Sequence, residues 1–117
     1  MDSKLWEALD LVRERQMLKG LRGEMGGNHC ALGFLDEVYD GQLVECVREA
    51  LPDVKILART AAEAFPGRED PRMDPFNFGK KGNPFNELAA FNNHIDTTKA
   101  DLELVFEKAA IKSDEVL

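Results

Sequence analysis

Apolar residues along this chain recur at helical spacing, and strand-like alternation barely occurs. Leu5, Ala8, Leu9 and Val12 stand at i, i+3, i+4 and i+7, with Trp6 at the edge of the face they share. They predict a first helix over about residues 3–19, broken by Gly20, Gly23, Gly26 and Gly27. Ala31, Phe34, Leu35 and Val38 repeat the spacing in a second segment reaching about residue 40, with Asn28 as its N-cap and Gly41 as its C-terminal cap. On this segment Asp36, Glu37 and Asp40 are expected on the solvent side.

A third segment covers about residues 42–51 and is expected to stop before Pro52, since proline disfavours helical geometry in the residue preceding it. Asp53 then caps a fourth, with Val54, Leu57, Ala61 and Phe65 as its stripe and Pro66 as its end. Asn83-Pro84 is a cap followed by proline at the first helical position. The segment after it places Phe85, Leu88, Ala89 and Asn92 on one face. The last helix starts at Thr97 or Thr98, where Thr98 and Asp101 form a variant of the capping box. Leu102, Val105, Phe106 and Ala109 are its stripe, and Lys108 and Lys112 suit the negative end of its dipole.

Between these elements, residues 66–83 keep no helical period: Pro66, Pro71 and Pro75 alternate with Gly67, Gly79 and Gly82. So long a stretch without regular structure is either functional or mobile. The expected architecture is all-α: one domain over residues 1–112, a compact bundle of five to six short amphipathic helices with one long Pro/Gly-rich loop, and a frayed tail over 113–117.

Composition narrows the function classes. The chain has 117 residues, 44% of them hydrophobic and 32% charged, enough apolar material for a core. No apolar run approaches the length of a membrane span, and the start carries no signal-peptide pattern, so a cytoplasmic protein is expected. The net charge of −7 argues against nucleic acid as a ligand, because phosphate neutralisation needs clustered Lys and Arg. A nucleic-acid mimic would concentrate negative charge, whereas these acids are interleaved with bases, as in Arg13-Glu14-Arg15.

Cys30 and Cys46 are the only cysteines, and reduced thiols are expected. With His29 and His94 they lack the close-spaced pairs of a zinc site, so no metal is expected, and no motif calls for a cofactor. Residues 78–82, Phe-Gly-Lys-Lys-Gly, fail the phosphate-loop pattern, which would need glycine at Asp74 and Ser or Thr after the lysine.

Three places could carry function. Cys30 sits in the first turn of the second segment, where the helix dipole stabilises a thiolate. Paired with His94 as base, and with Asn92 or Asp96 as orienting group, it would make a nucleophilic set. The competing reading is a small buried cysteine in an apolar helix, and base rates favour it. Asn92 itself falls on an apolar face, where its amide must be hydrogen-bonded. Either it ties the following turn to a neighbouring backbone, the preferred reading, or it faces a ligand. Last, Phe76 and Phe78 in the long loop either pack on the body or anchor a partner, with Lys80 and Lys81 steering toward an acidic surface.

His29-Cys30-Ala31-Leu32-Gly33-Phe34-Leu35 resembles the Cys-Ala-Leu-Gly signature of a family of small proteins of unknown function from bacteria and their phages. In that family a later Asn-Asp pair precedes a Thr-started helix, matched here by Asn92-Asn93 and Thr97 or Thr98, and the first helix often carries Trp, as Trp6 does. Asn93 stands where the family has Asp, and Phe34 replaces a smaller residue. The resemblance implies a bacterial or phage origin and a helical fold, and no activity. Together these features predict a small acidic accessory protein that binds a host protein or a copy of itself, a homo-oligomer being compatible with that role. The alternative is a small cysteine-nucleophile enzyme using Cys30 and His94.

Overall fold

The computed structural model describes residues 4–19, 26–43, 47–74 and 82–115. Among them are five α-helices: α1 Lys4–Glu14, α2 Ala31–Val38, α3 Val47–Ala64, α4 Pro84–Asn93 and α5 Lys99–Glu115. They take up more than half of the chain, and one 3-10 turn, Pro71–Met73, lies in the long connection before α4. The described residues contain no strand, only an isolated parallel bridge between Met17 and His29. The fold is the all-α bundle that the apolar spacing implies.

The stripes converge on one core. Leu5, Leu9 and Val12 of α1, Phe34 and Leu35 of α2, and Val54, Leu57 and Ala61 of α3 are all buried. Leu88 and Phe91 of α4 join them, as do Leu102, Val105, Phe106 and Ala109 of α5. Burying one such large side chain is worth ~1.5–3 kcal/mol, so each helix gains stability by docking that it would lack alone. α5 packs between α1 and α3. It runs antiparallel to α1: Trp6 Nε1 donates to Asp114 Oδ2 at 2.9 Å, and Lys99 Nζ donates to the Arg13 carbonyl at 3.0 Å. The capping box forms as expected, with Thr98 N–H on Asp101 Oδ2 at 3.1 Å and Asp101 N–H on Thr98 Oγ1 at 3.2 Å. No helix among the described residues is long and apolar enough to cross a membrane.

Several boundaries differ from the sequence expectation, each for a physical reason. α1 ends at Glu14, because the following backbone pairs with residues 27–29 instead of continuing the helix. Leu18 N–H donates to the His29 carbonyl at 2.8 Å, His29 N–H to Gln16 at 3.3 Å, and Arg15 Nη1 to the Gly27 carbonyl at 3.2 Å. Asn28 is not a helix cap, since its Oδ1 accepts from Gln16 N–H at 3.1 Å, and Cys30 takes the N-cap position. Gly41 does help to end α2: it has φ 75, follows Asp40 at φ 58, and donates to the Asp36 carbonyl at 2.7 Å.

The two helices expected around Pro52 are one, α3. Pro52 is the sixth residue of α3, so its missing N–H deprives only the Arg48 carbonyl of a helical partner. Arg48 lies in the exposed first turn, where water can replace that bond, and the burial of Ala50, Val54, Leu57 and Ala61 continues in phase across the proline. Asp53 therefore lies inside the helix and accepts from Tyr39 Oη at 3.0 Å. In the connection after α3, Pro71 is buried and Asp70 caps the 3-10 turn by accepting from Arg72 N–H at 3.0 Å. α5 extends to Glu115, and the last two residues of the expected tail, 116–117, lie outside the described residues.

Candidate functional site

Two regions could carry function: a buried polar cluster around the start of α2, and the outward face of α5 with the edge of α1.

The cluster gathers Arg15, Lys19, His29, Cys30, Glu37, Asp74, Asn92 and Asn93. Asn92 is fully buried, and its Oδ1 accepts from Ala31 N–H at 3.0 Å, the first residue of α2. Its Nδ2 donates to the Leu18 carbonyl at 2.8 Å and to Asn93 Oδ1 at 3.3 Å. Asn93 Nδ2 in turn donates to both oxygens of the buried Asp74, at 3.2 and 3.1 Å. Lys19 closes the end of α4, where its Nζ donates to the Asn92 carbonyl at 3.3 Å, to the Thr97 carbonyl at 3.0 Å and to the His94 carbonyl. Burial first, then the nearby Arg68 charge, lowers the Lys19 pKa.

Glu37, expected on the solvent side, turns inward. A single oxygen, Oε1, accepts from Arg15 Nη1 at 2.5 Å, Gly26 N–H at 2.8 Å and His29 Nε2 at 2.8 Å. Burial alone would raise its pKa, but the hydrogen bonds from Arg15, His29 and Gly26 outweigh burial and hold it at about 2. Glu37 is therefore a carboxylate, and His29 Nε2 carries the proton that it donates. This knot pins the 15–19 and 26–29 segments to α2. Glu37 and Lys19 escape a reading from spacing because both act across chain segments that come together only in the fold.

The members of the candidate nucleophilic set stand at the ends of two helices. Cys30 is buried at the N-cap of α2, and its carbonyl accepts from Phe34 N–H at 3.1 Å. Asn92 lies at the same helix end, with its amide committed to Ala31, Leu18 and Asn93. His94 caps the end of α4, where its Nδ1 accepts from Asp96 N–H at 3.1 Å. The same Nδ1 is 4.0 Å from Asp96 Oδ2, too long for an orienting hydrogen bond. Among the described residues no three His, Cys, Asp or Glu side chains group as metal ligands. Phe76, Phe78, Lys80, Lys81 and Cys46 lie outside the described residues.

The second region is apolar. Leu104 and Ile111, seven residues apart on the ridge of α5, are 40% and 43% exposed, and Trp6 at the α1 edge is 39% exposed. On the α3 side of the ridge runs a groove of about 370 Å³ lined by Thr60, Glu63 and Ala64 of α3 and by Lys108, Ile111, Lys112 and Glu115 of α5. Glu63 and Lys112 pair across it. A second groove, of about 350 Å³ between α3 and the start of α4, is rimmed by Lys55, Arg59, Glu69 and Glu87 and presents mainly charge. Spacing picks out the inner stripe of α5, whereas Leu104 and Ile111 stand singly among polar residues on its other side and carry no stripe of their own.

No family model, curated protein or solved structure matches this chain.

Proposed function

We propose that this chain is a binding protein, working through protein–protein contact at the outward face of α5 and the adjoining edge of α1. One observation carries the reading: Trp6, Leu104 and Ile111 are three of the four large apolar side chains exposed among the described residues, and the fourth, Ile95, stands in the turn between α4 and α5. Clustered apolar side chains with a polar rim are the chemistry of a recognition surface. Trp6 is suited to such a role, since Asp114 already satisfies its indole N–H and the ring can be covered without stranding a donor. An accessory role in a bacterium or phage, implied by the resemblance of residues 29–35, is compatible with this reading.

The competing reading, catalysis by Cys30 with His94, has less support. Asn92 is committed to backbone groups, and His94 Nδ1 is engaged within its own turn.

Replacing Leu104 by a photo-crosslinking amino acid tests the proposal in the source cell. Covalent adducts to a polypeptide are expected from position 104 and not from Arg48, an equally accessible site at the start of α3. Adducts from neither position, or equally from both, would remove the binding face.

A further inference from the structure

The turn between α4 and α5 directs its carbonyls at cations. If α4 ran on, the Asp96 N–H would go to the Asn92 carbonyl, but His94 Nδ1 takes it at 3.1 Å. If α5 began earlier, the Asp101 N–H would go to the Thr97 carbonyl, but Thr98 Oγ1 takes it at 3.2 Å. Two side chains thus intercept the amides, and the Asn92 and Thr97 carbonyls are left to other donors. Arg68 Nη1 reaches a further carbonyl of the turn, that of Asp96, at 3.3 Å.

Lys19 supplies those donors. Its Nζ donates to the Asn92 carbonyl at 3.3 Å, to the Thr97 carbonyl at 3.0 Å and to the His94 carbonyl, so it lies among three oxygens of one turn. A primary ammonium has three N–H donors and no acceptor, so donors and acceptors match one for one. The last carbonyls of α4 also carry the negative pole of its dipole, which attracts a positive charge. Burial and the Arg68 charge act against the ammonium, and the Asp96 and Asp101 carboxylates act for it. Lys19 comes from 73 to 78 residues away in sequence. The seat is therefore built by the α4–α5 turn alone, and a separate segment brings the cation to it.

We propose that the α4–α5 turn is a binding site for a primary ammonium group, occupied in the folded chain by Lys19 and open to a free alkylammonium ion once that side chain is removed. Selectivity follows from the acceptors. Three oxygens around one point reward a cation with three N–H bonds, whereas a quaternary ammonium, with none, offers only its charge. Occupancy has a structural consequence. The Asn92 amide donates to the Leu18 carbonyl at 2.8 Å, so Lys19 and Asn92 together fasten the segment after α1 to the end of α4. The seat shares no residue with Trp6, Leu104 and Ile111, and it stands whether or not the α5 face binds a partner.

Chemical rescue is the test. Lys19→Ala removes Cγ, Cδ, Cε and Nζ, which are the heavy atoms of n-propylammonium, and that ion is the probe. Urea unfolding of the full chain at neutral pH should show a lowered midpoint for the variant. Propylammonium chloride should raise that midpoint saturably relative to wild type, as any ligand does that binds only the folded state. Tetramethylammonium chloride at the same concentrations should leave it unmoved. Lys19→Met keeps an uncharged stem in the path of the probe, so it should be destabilised and stay unrescued. If Lys19→Ala does not fold alone, circular dichroism reads the same result as folding induced by propylammonium. The site would be overturned by a Lys19→Ala midpoint equal to that of wild type, or by one that propylammonium leaves in place. Equal responses to the two ions, or of the two variants to propylammonium, would overturn it as well.

Discussion

Asn92, near the end of α4, supplies the cap of α2: its Oδ1 accepts from Ala31 N–H at 3.0 Å, across 61 residues of sequence. The N-cap residue Cys30 makes no side-chain capping bond, so the helix start is completed by a different helix. The same amide donates to the Leu18 carbonyl, which ties the segment after α1 into the joint. Asn92→Ala would lose the cap and leave a buried N–H and a part-buried carbonyl without this partner. A loss of about 2–3 kcal/mol is expected, above the ~1 kcal/mol of an exposed cap, because the stranded groups lie away from water. Urea unfolding measures it. A change comparable to that of a surface substitution would show that the joint is dispensable.

That joint marks the limit of what local spacing can reveal. The stripes of α1, α2 and α5 were legible because residues three and four apart must share a face, and Thr98 with Asp101 were legible because their partners lie three residues away. The inward direction of Asn92 followed from its phase, but its partner did not, since nothing near position 92 encodes Ala31. In α4 the phase also misplaced the face: Phe91 is fully buried and stacks on Phe65 with centroids 5.6 Å apart, while Ala89 is only half-buried. α4 touches α2, α3 and the 3-10 turn, and a helix covered on several sides has no single inner face. Pro52 misled for a related reason: whether proline ends a helix depends on whether the carbonyl it strands can reach water. The apolar outer ridge of α5 has no local signature at all.

Glu37 makes stability depend on acid. Its folded pKa of about 2 lies below the ordinary glutamate value of 4.5, so the folded state favours the ionised form. A depressed carboxylate contributes stability that is fully present above the unfolded pKa and is lost as pH falls through the folded one. Stability is therefore expected to decline between about pH 4.5 and 2. Glu37→Gln should flatten that acid limb and lower stability at neutral pH, because the Arg15 guanidinium would lose its carboxylate. Chemical denaturation of both proteins across this window is the measurement. Parallel pH profiles would remove Glu37 from the account.

Cys30 is 8% exposed at the start of α2, and a packed thiol should be protected from reagents. With Cys46→Ser as background, alkylation of Cys30 is expected to be slow in the folded chain and fast in denaturant. Cys30→Ala should cost ~1 kcal/mol, a usual value for a small change in a core. Rapid labelling of the folded chain at neutral pH would instead revive the nucleophilic reading, in which the helix dipole activates the thiolate.

Phe76, Phe78, Lys80 and Lys81 of residues 75–81 are candidates for a second contact. Both flanks of this segment are fixed. Asp74 is buried and bonded to Asn93, and Asn83 caps α4 by accepting from Phe85 N–H at 3.0 Å. A segment held at both ends loses less entropy when a partner orders it, and Pro75 reduces that loss further. Two readings of the rings remain distinct in their consequences: contact with a partner, or packing onto the helices. The double variant Phe76→Ser with Phe78→Ser separates them when melting temperature and crosslinking are measured on one preparation. If the rings contact a partner, the melting temperature should hold while crosslinks from this segment disappear. If they pack on the body, removing two phenylalanines from apolar surroundings should cost several kcal/mol, at ~3–5 kcal/mol for each fully buried ring, and the melting temperature should fall steeply.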